Sequence, residues 1–162
     1  AYGSNLEWKQ MRERCPSAMF VCIAKLKDYR LAFTRTSIKR GCGVADVVIK
    51  SGSDVWGVVF QIDERDIGNL DAKEGYVPGR SGNAYTRMEC HVYEDGDEQK
   101  SIAAMMYTVT DKQGNVPLPN AEYKRQLVEG AIYWHLPSEY LQRLEAIRTS
   151  DAVRCGGHSD GE

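Results

Sequence analysis

The chain has 162 residues, 42% of them hydrophobic and 27% charged, which suits a single globular domain. Its 21 basic and 23 acidic residues leave a formal charge of -2, so it lacks the basic surplus of a general nucleic-acid or membrane-surface binder and points to a small-molecule partner. No apolar run approaches the roughly 20 residues that span a bilayer, and the first residues lack the layout of a signal peptide, so a soluble, cytoplasmic protein is expected.

The chain opens on Ala1, Tyr2, Gly3, Ser4 and Asn5, a turn-like start before which a strand is expected. From Leu6 to Arg14 strong helix formers dominate, with Asn5 as the expected cap and Pro16 close behind. The opening loop therefore feeds a helix. Ala18 to Leu26, Tyr29 to Thr34, Gly43 to Ile49 and Val55 to Ile62 are rich in β-branched, aromatic and apolar residues, broken by Lys-Asp and by a Gly-rich stretch, the pattern of strands joined by turns. Trp56, in the last of these, reads as core. Asp63 is placed to cap a helix through Leu70, in which Ile67 and Leu70 share a face, and Gly75 is placed to end it. Glu74 falls at that carboxyl end.

Tyr85 to Tyr93 and Ile102 to Val109 flank the polar segment Glu94 to Glu98, whose turn chemistry predicts an antiparallel hairpin with Tyr107 near the end of its second arm. After Pro117 and Pro119, Tyr123, Leu127, Ala131 and Trp134 recur at helical spacing, and Pro137 with Ser138 starts a further helix through Ile147. Beyond Arg148 the residues are small and polar. Residues 1–148 are read as one domain and 149–162 as a disordered tail, where Cys155 and His158 are too few to hold a metal. Strands that arrive in runs, not interleaved with helices, give an α+β class with a mostly antiparallel sheet.

Five cysteines at irregular spacing, without a Cys-x-x-Cys pair, suggest neither a disulfide framework nor a zinc site. Cys42, between Gly41 and Gly43, reads as a small residue in a tight loop. Ser4 would need a base to act as a nucleophile, and His91, His135 and His158 fall in a strand, a helix end and the tail. A hydrogen-bonding role toward a ligand suits Ser4 better.

Two separated segments carry a resemblance. Tyr-Gly-Ser-Asn-Leu at Tyr2 to Leu6 resembles the substrate-binding signature of the γ-glutamylcyclotransferase family, and Leu-Asp-Ala-Lys-Glu-Gly at Leu70 to Gly75 resembles its catalytic segment. The similarity runs from Ala1 to about Ile147 and takes in Lys27 to Phe33, Val55 to Phe60 and Glu122 to Lys124. It implies a small, mostly antiparallel β-barrel with surrounding helices, cyclisation of a γ-glutamyl group to 5-oxoproline, no metal or organic cofactor, and a homodimer. It also implies Glu74 as the catalytic carboxylate and Tyr2, Gly3, Ser4, Asn5, Leu6, Tyr107 and Tyr123 as substrate-binding residues.

The residues themselves are consistent with these roles. Gly3 lets backbone approach a ligand closely, and consecutive N–H groups ahead of a helix can receive an anion. A carboxylate at a helix carboxyl end is repelled by the macrodipole, a field that with burial raises its pKa and favours a cationic ammonium nearby. The hydroxyls of Tyr107 and Tyr123 can orient an α-carboxylate or ammonium, and both side chains equally suit a packing role. Three functions fit: cyclisation of γ-glutamyl amino acids, cyclisation of another γ-glutamyl amide, and a catalytically silent binding module.

Overall fold

The alternation of apolar and polar residues after Ala18 draws the chain into one long hairpin. In the computed structural model, which describes residues 1–114 and 118–151, β1 (Met19–Ser37) and β2 (Cys42–Gln61) pair antiparallel from Met19 opposite Gln61 to Ser37 opposite Cys42. The four strands expected here are thus two. At the Lys-Asp break the register slips between Lys27 and Tyr29 without ending the strand. Asp28 takes a φ of 60° and Gly52, across from it, 74°; the Asp28 carboxylate accepts the Gly52 N–H at 2.8 Å. A bulge held by an aspartate and a glycine lets the ladder resume beyond it.

β3 (Tyr85–Glu94) and β4 (Ser101–Val109) form the antiparallel hairpin expected there, with Tyr85 opposite Val109 and Tyr93 opposite Ser101. Asp95 and Gly96 supply the left-handed turn, and a Cβ on Gly96 would come within 2.7 Å of the Trp56 ring. β1 meets β3 only through Ala24 opposite Glu94 and Lys25 opposite Tyr93. The sheet is antiparallel in the order β2-β1-β3-β4.

The α+β class is as expected, but the sheet does not close into the barrel that the resemblance implied. No ladder joins β2 to β4 among the described residues. A side chain spans the gap instead. Asp46 on β2 is fully buried; its carboxylate accepts the Val109 N–H at 3.0 Å and the Thr34 hydroxyl at 2.6 Å, and pairs with the Lys112 ammonium. The buried carboxylate is thus satisfied by a donor from the neighbouring strand β1 and by donors at and just beyond the end of β4.

The helices are α1 (Trp8–Arg14), α2 (Glu64–Glu74), α3 (Ala121–Tyr133) and α4 (Ser138–Glu145), with a 3-10 turn at Ser4–Leu6. Asn5 is not the cap of α1. It lies inside the 3-10 turn, Glu7 occupies the N-cap position, and the Asn5 amide is used elsewhere. Helix α2 runs four residues past Leu70 and ends where Gly75, with φ of 67°, turns left-handed and donates to the Ala72 carbonyl, as a glycine after a helix does at low steric cost.

Leu6, Val47, Val55, Leu127, Tyr140 and Leu144 are buried where the sheet meets α3 and α4, each apolar side chain contributing about 1.5–3 kcal/mol. Met11, Cys15, Ala18 and Leu70 join α1 to α2 in a smaller cluster. The opening loop is seated by two close approaches: a Cβ on Gly57 would lie 2.1 Å from the Ala1 carbonyl oxygen, and one on Gly130 would lie 2.7 Å from Leu6 Cβ. Val58 N–H donates to the Ala1 carbonyl at 2.9 Å and Trp134 Nε1 to the Leu6 carbonyl at 2.8 Å.

Of the stretch read as a tail, Ser150 donates to the Pro119 carbonyl and Asp151 accepts the Ala121 N–H; Cys155 and His158 lie outside the described residues. No helix among the described residues is long and apolar enough to cross a membrane.

Candidate active site

A cavity of about 430 Å³ lies against the opening loop, reaches the inner sides of all four strands and ends at the carboxyl terminus of α2. Tyr2, Gly3, Ser4, Asn5, Glu74, Tyr107 and Tyr123 all line it. Leu6 does not. It is 1% exposed and packs on Gly130, so among the residues expected to bind substrate it acts as the loop's anchor in the core.

Glu74 is the only residue with a charged side chain in the cavity lining among the described residues. It is placed there because α2 packs Leu70 inward and ends at Glu74 itself, with Gly75 as its left-handed cap. Its Oε1 accepts from Asn5 Nδ2 at 3.1 Å and from Arg14 Nη1 at 3.0 Å, while the same guanidinium nitrogen donates to Asn5 Oδ1 at 2.7 Å. Burial pushes the Glu74 carboxyl above its ordinary value; the Arg14 cation and the Asn5 amide, which favour the ionised form, offset part of that rise. The result is a carboxylate that is both held in place and more basic than one in water, as a proton-transfer group should be.

The 3-10 turn begins with Leu6 N–H bonded to the Gly3 carbonyl at 2.9 Å, and the first N–H groups of such a turn have no partner within it. Gly3 has an ordinary negative φ. A Cβ added there would lie 3.4 Å from Ala45 Cβ and 3.6 Å from Tyr123 Oη, so its own conformation does not demand glycine.

The tyrosines are engaged with protein as well as facing the cavity. Tyr2 donates to the Tyr107 carbonyl at 2.5 Å, Tyr107 donates to Asp71 Oδ1 at 2.5 Å, and Tyr123 Oη accepts the Ala45 N–H at 3.1 Å. Burial raises the phenol of each, that of Tyr123 to about 12. They stand as neutral hydroxyls at neutral pH, with the remaining hydrogen-bonding capacity of Tyr107 and Tyr123 available to a ligand.

His91 is exposed on β3 and His135 sits at the end of α3, and neither lines the cavity. Ser4 therefore has no imidazole partner among the described residues. Cys42 is wholly buried. Cys90 lines the cavity, where burial raises its thiol. No group of three His, Cys, Asp or Glu side chains suited to a metal occurs among the described residues.

The residue patterns of the sequence do not single out Arg14, Tyr85 or Asp71, all of which belong to this site. Arg14 is a basic residue in the last turn of α1, a placement that helix electrostatics already explains. Tyr85 lines the cavity as the first residue of β3. Asp71, buried one turn before Glu74, is bonded by Tyr107 and by Arg87 at 3.2 Å. Its place inside the segment Leu70 to Gly75, which carries part of the family resemblance, was the available signal.

Residues 54–144 match the model of the AIG2-like family. The chain is 35% identical to a human γ-glutamylcyclotransferase and 34% identical to the mouse protein of that name, each over 93% of this chain and 78% of the relative. A solved structure of a γ-glutamyl cyclotransferase superposes with a TM-score of 0.83 at 34% identity, covering 93% of this chain and 87% of the other.

Proposed function

The chain belongs to the AIG2-like, γ-glutamylcyclotransferase family, and from that premise we propose that it cyclises the γ-glutamyl group of γ-glutamyl amino acids and peptides, releasing 5-oxoproline and the free amine. The observation that carries this reading is the meeting, at one cavity wall, of Asn5 from the first motif and Glu74 from the second.

The chemistry asks for little beyond what lines the cavity. Glu74 takes one proton from the substrate's α-ammonium, and the free amine attacks the γ-carbonyl carbon to form the new ring C–N bond. Glu74 returns that proton to the leaving nitrogen as the old C–N bond breaks, then takes the surplus proton from the ring nitrogen and passes it to the departing amine. Two protons move from the α-nitrogen to the leaving nitrogen, and no redox change or second substrate is involved. Holding the glutamyl chain folded supplies the advantage of intramolecular attack. N–H groups of the Gly3 to Asn5 loop and the hydroxyls of Tyr107 and Tyr123 suit the substrate's anionic oxygens.

A cytoplasmic location and a homodimer belong to the same reading, as family properties. Release of 5-oxoproline from a panel of γ-glutamyl dipeptides and γ-glutamyl amines tests the activity: turnover of dipeptides supports it, turnover of amines alone shifts the substrate class, and inactivity toward the whole panel overturns it in favour of a binding module.

A further inference from the structure

Glu74 presents two oxygens to its surroundings, and the protein treats them differently. Both protein donors fall on Oε1, Asn5 Nδ2 at 3.1 Å and Arg14 Nη1 at 3.0 Å; among the described residues Oε2 has no protein donor. Arg14 and Asn5 are also bonded to each other at 2.7 Å, so the three side chains form a closed triangle in which none can rotate without breaking two contacts. Arg14 is largely buried, with 19% of its side chain exposed, against 14% for Glu74, and it does not line the cavity. It can therefore act on substrate only through the side chains it holds, Glu74 and Asn5.

We propose that Arg14 is a positioning residue for the reaction: with Asn5 it ties down Glu74 Oε1 and leaves Oε2 as the oxygen that exchanges protons with the substrate's nitrogen atoms. The inference rests on the cyclotransferase reading for its reaction and adds a residue and an atom to it. A planar guanidinium suits this task because its orientation is fixed while the one nitrogen Nη1 donates to both acceptors, whereas an ammonium is a mobile point charge. The contact also offsets part of the rise that burial imposes on the carboxyl.

Other groups around Glu74 do not duplicate this. Tyr2 from the loop, Tyr85 from β3, Tyr107 from β4 and Tyr123 from α3 each sense its charge and are held as neutral phenols by burial. Asp71, one turn back on α2, is occupied by Tyr107 and Arg87. Arg14 is the one side-chain cation in contact with the carboxylate among the described residues.

The test uses Arg14→Met and Arg14→Lys in the full chain, with folding checked by circular dichroism. The Glu74 titration is followed by carboxyl-carbon NMR on glutamate-labelled protein, its signal assigned by its loss in Glu74→Gln. Arg14→Met should move the titration midpoint upward by about one pH unit or more and lower kcat roughly tenfold or more, with KM for γ-glutamyl-alanine changed about twofold or less. Arg14→Lys should restore most of the midpoint but not the rate. An unmoved midpoint, or a loss confined to KM, overturns the proposal. The NMR result does not require turnover: a shifted midpoint in a protein that releases no 5-oxoproline would support the Arg14–Glu74 coupling while overturning the cyclotransferase reading.

Discussion

Asn5 and Glu74 are 69 positions apart, and their side chains meet at 3.1 Å, Nδ2 donating to Oε1. Neither would be held so by its own segment. Asn5 reaches the carboxylate because the loop is pressed onto β2 and α3, and Glu74 faces it because α2 packs on α1 through Met11 and Leu70. The site is thus a property of how the elements pack, and substitutions at its corners should separate chemistry from folding.

Replacing Glu74 with glutamine keeps the side chain's shape and a carbonyl oxygen for Asn5 and Arg14 while removing the proton carrier. Turnover of γ-glutamyl-alanine should fall by about 100-fold or more, with an unchanged circular dichroism spectrum. A folded variant that keeps most of the wild-type kcat would show that another group is the base.

The pH profile gives a second reading of the same carboxyl. As the base it must be ionised, so activity should be lost as pH falls through its pKa. Burial raises that pKa above the ordinary 4.5, and the acid limb of kcat/KM should therefore lie above 4.5 and not below it. A limb at or under the ordinary glutamate value would mean that the Arg14 and Asn5 contacts outweigh burial.

The glycines of the site differ in a way that only the packing reveals. Gly3, within the recognised motif, has room for a methyl group at ordinary contact distances, whereas Gly57 and Gly130 have none, facing Ala1 and Leu6 backbone or Cβ atoms at 2.1 and 2.7 Å. Gly57→Ala and Gly130→Ala should each cost about 1–3 kcal/mol by overpacking and displace the loop, lowering kcat as well as Tm. Gly3→Ala should leave Tm nearly unchanged and act on substrate kinetics alone. Equal loss of Tm in all three would contradict this division.

The elements that were legible in the sequence are those whose signal is local. The β3–β4 hairpin follows from the turn residues Asp95 and Gly96, and the end of α2 from Gly75. The Lys27–Asp28 break was misleading because the same residues that end a strand also make a bulge, and only the pairing of Asp28 with Gly52 decides between them. Glu74 and the Tyr2 to Asn5 loop were found by resemblance to a family pattern. Arg14 was not, since a basic residue late in a helix has an adequate local explanation, and its contact with Glu74 spans 60 positions.

Asp46 illustrates the same limit for the sheet. Its alternating strand pattern gives no sign that it is fully buried between β2 and β4, where Val109, Thr34 and Lys112 satisfy it. Asp46→Ala should destabilise the protein by about 3 kcal/mol, because the Lys112 contact and the Val109 N–H lose their common partner. Urea unfolding would measure it. A change under about 0.5 kcal/mol would mean that the open side of the sheet needs no such clamp.

Substrate choice is the most demanding prediction. Cyclisation uses the free α-amine as nucleophile, so an N-acetylated γ-glutamyl-alanine should not turn over at all, whatever its affinity. The loop N–H groups require the α-carboxylate, so its amide should lose kcat/KM as well. Discrimination against glutathione rests on Asn5. The family resemblance implies that a glutathione-specific branch carries leucine at this place in the loop, and leucine can neither donate to Glu74 nor accept from Arg14, two of the contacts that Asn5 makes here. An enzyme built around those contacts should prefer γ-glutamyl-alanine to glutathione, and Asn5→Leu should lower its rate on the dipeptide without creating efficient glutathione turnover, because the leucine branch must hold its carboxylate by other means. The measurement is kcat/KM for γ-glutamyl-alanine, its N-acetyl and α-amide forms, and glutathione, in wild type and Asn5→Leu. Turnover of the acetylated compound would refute the mechanism, whereas a glutathione value equal to the dipeptide's would refute only the assignment of specificity to Asn5.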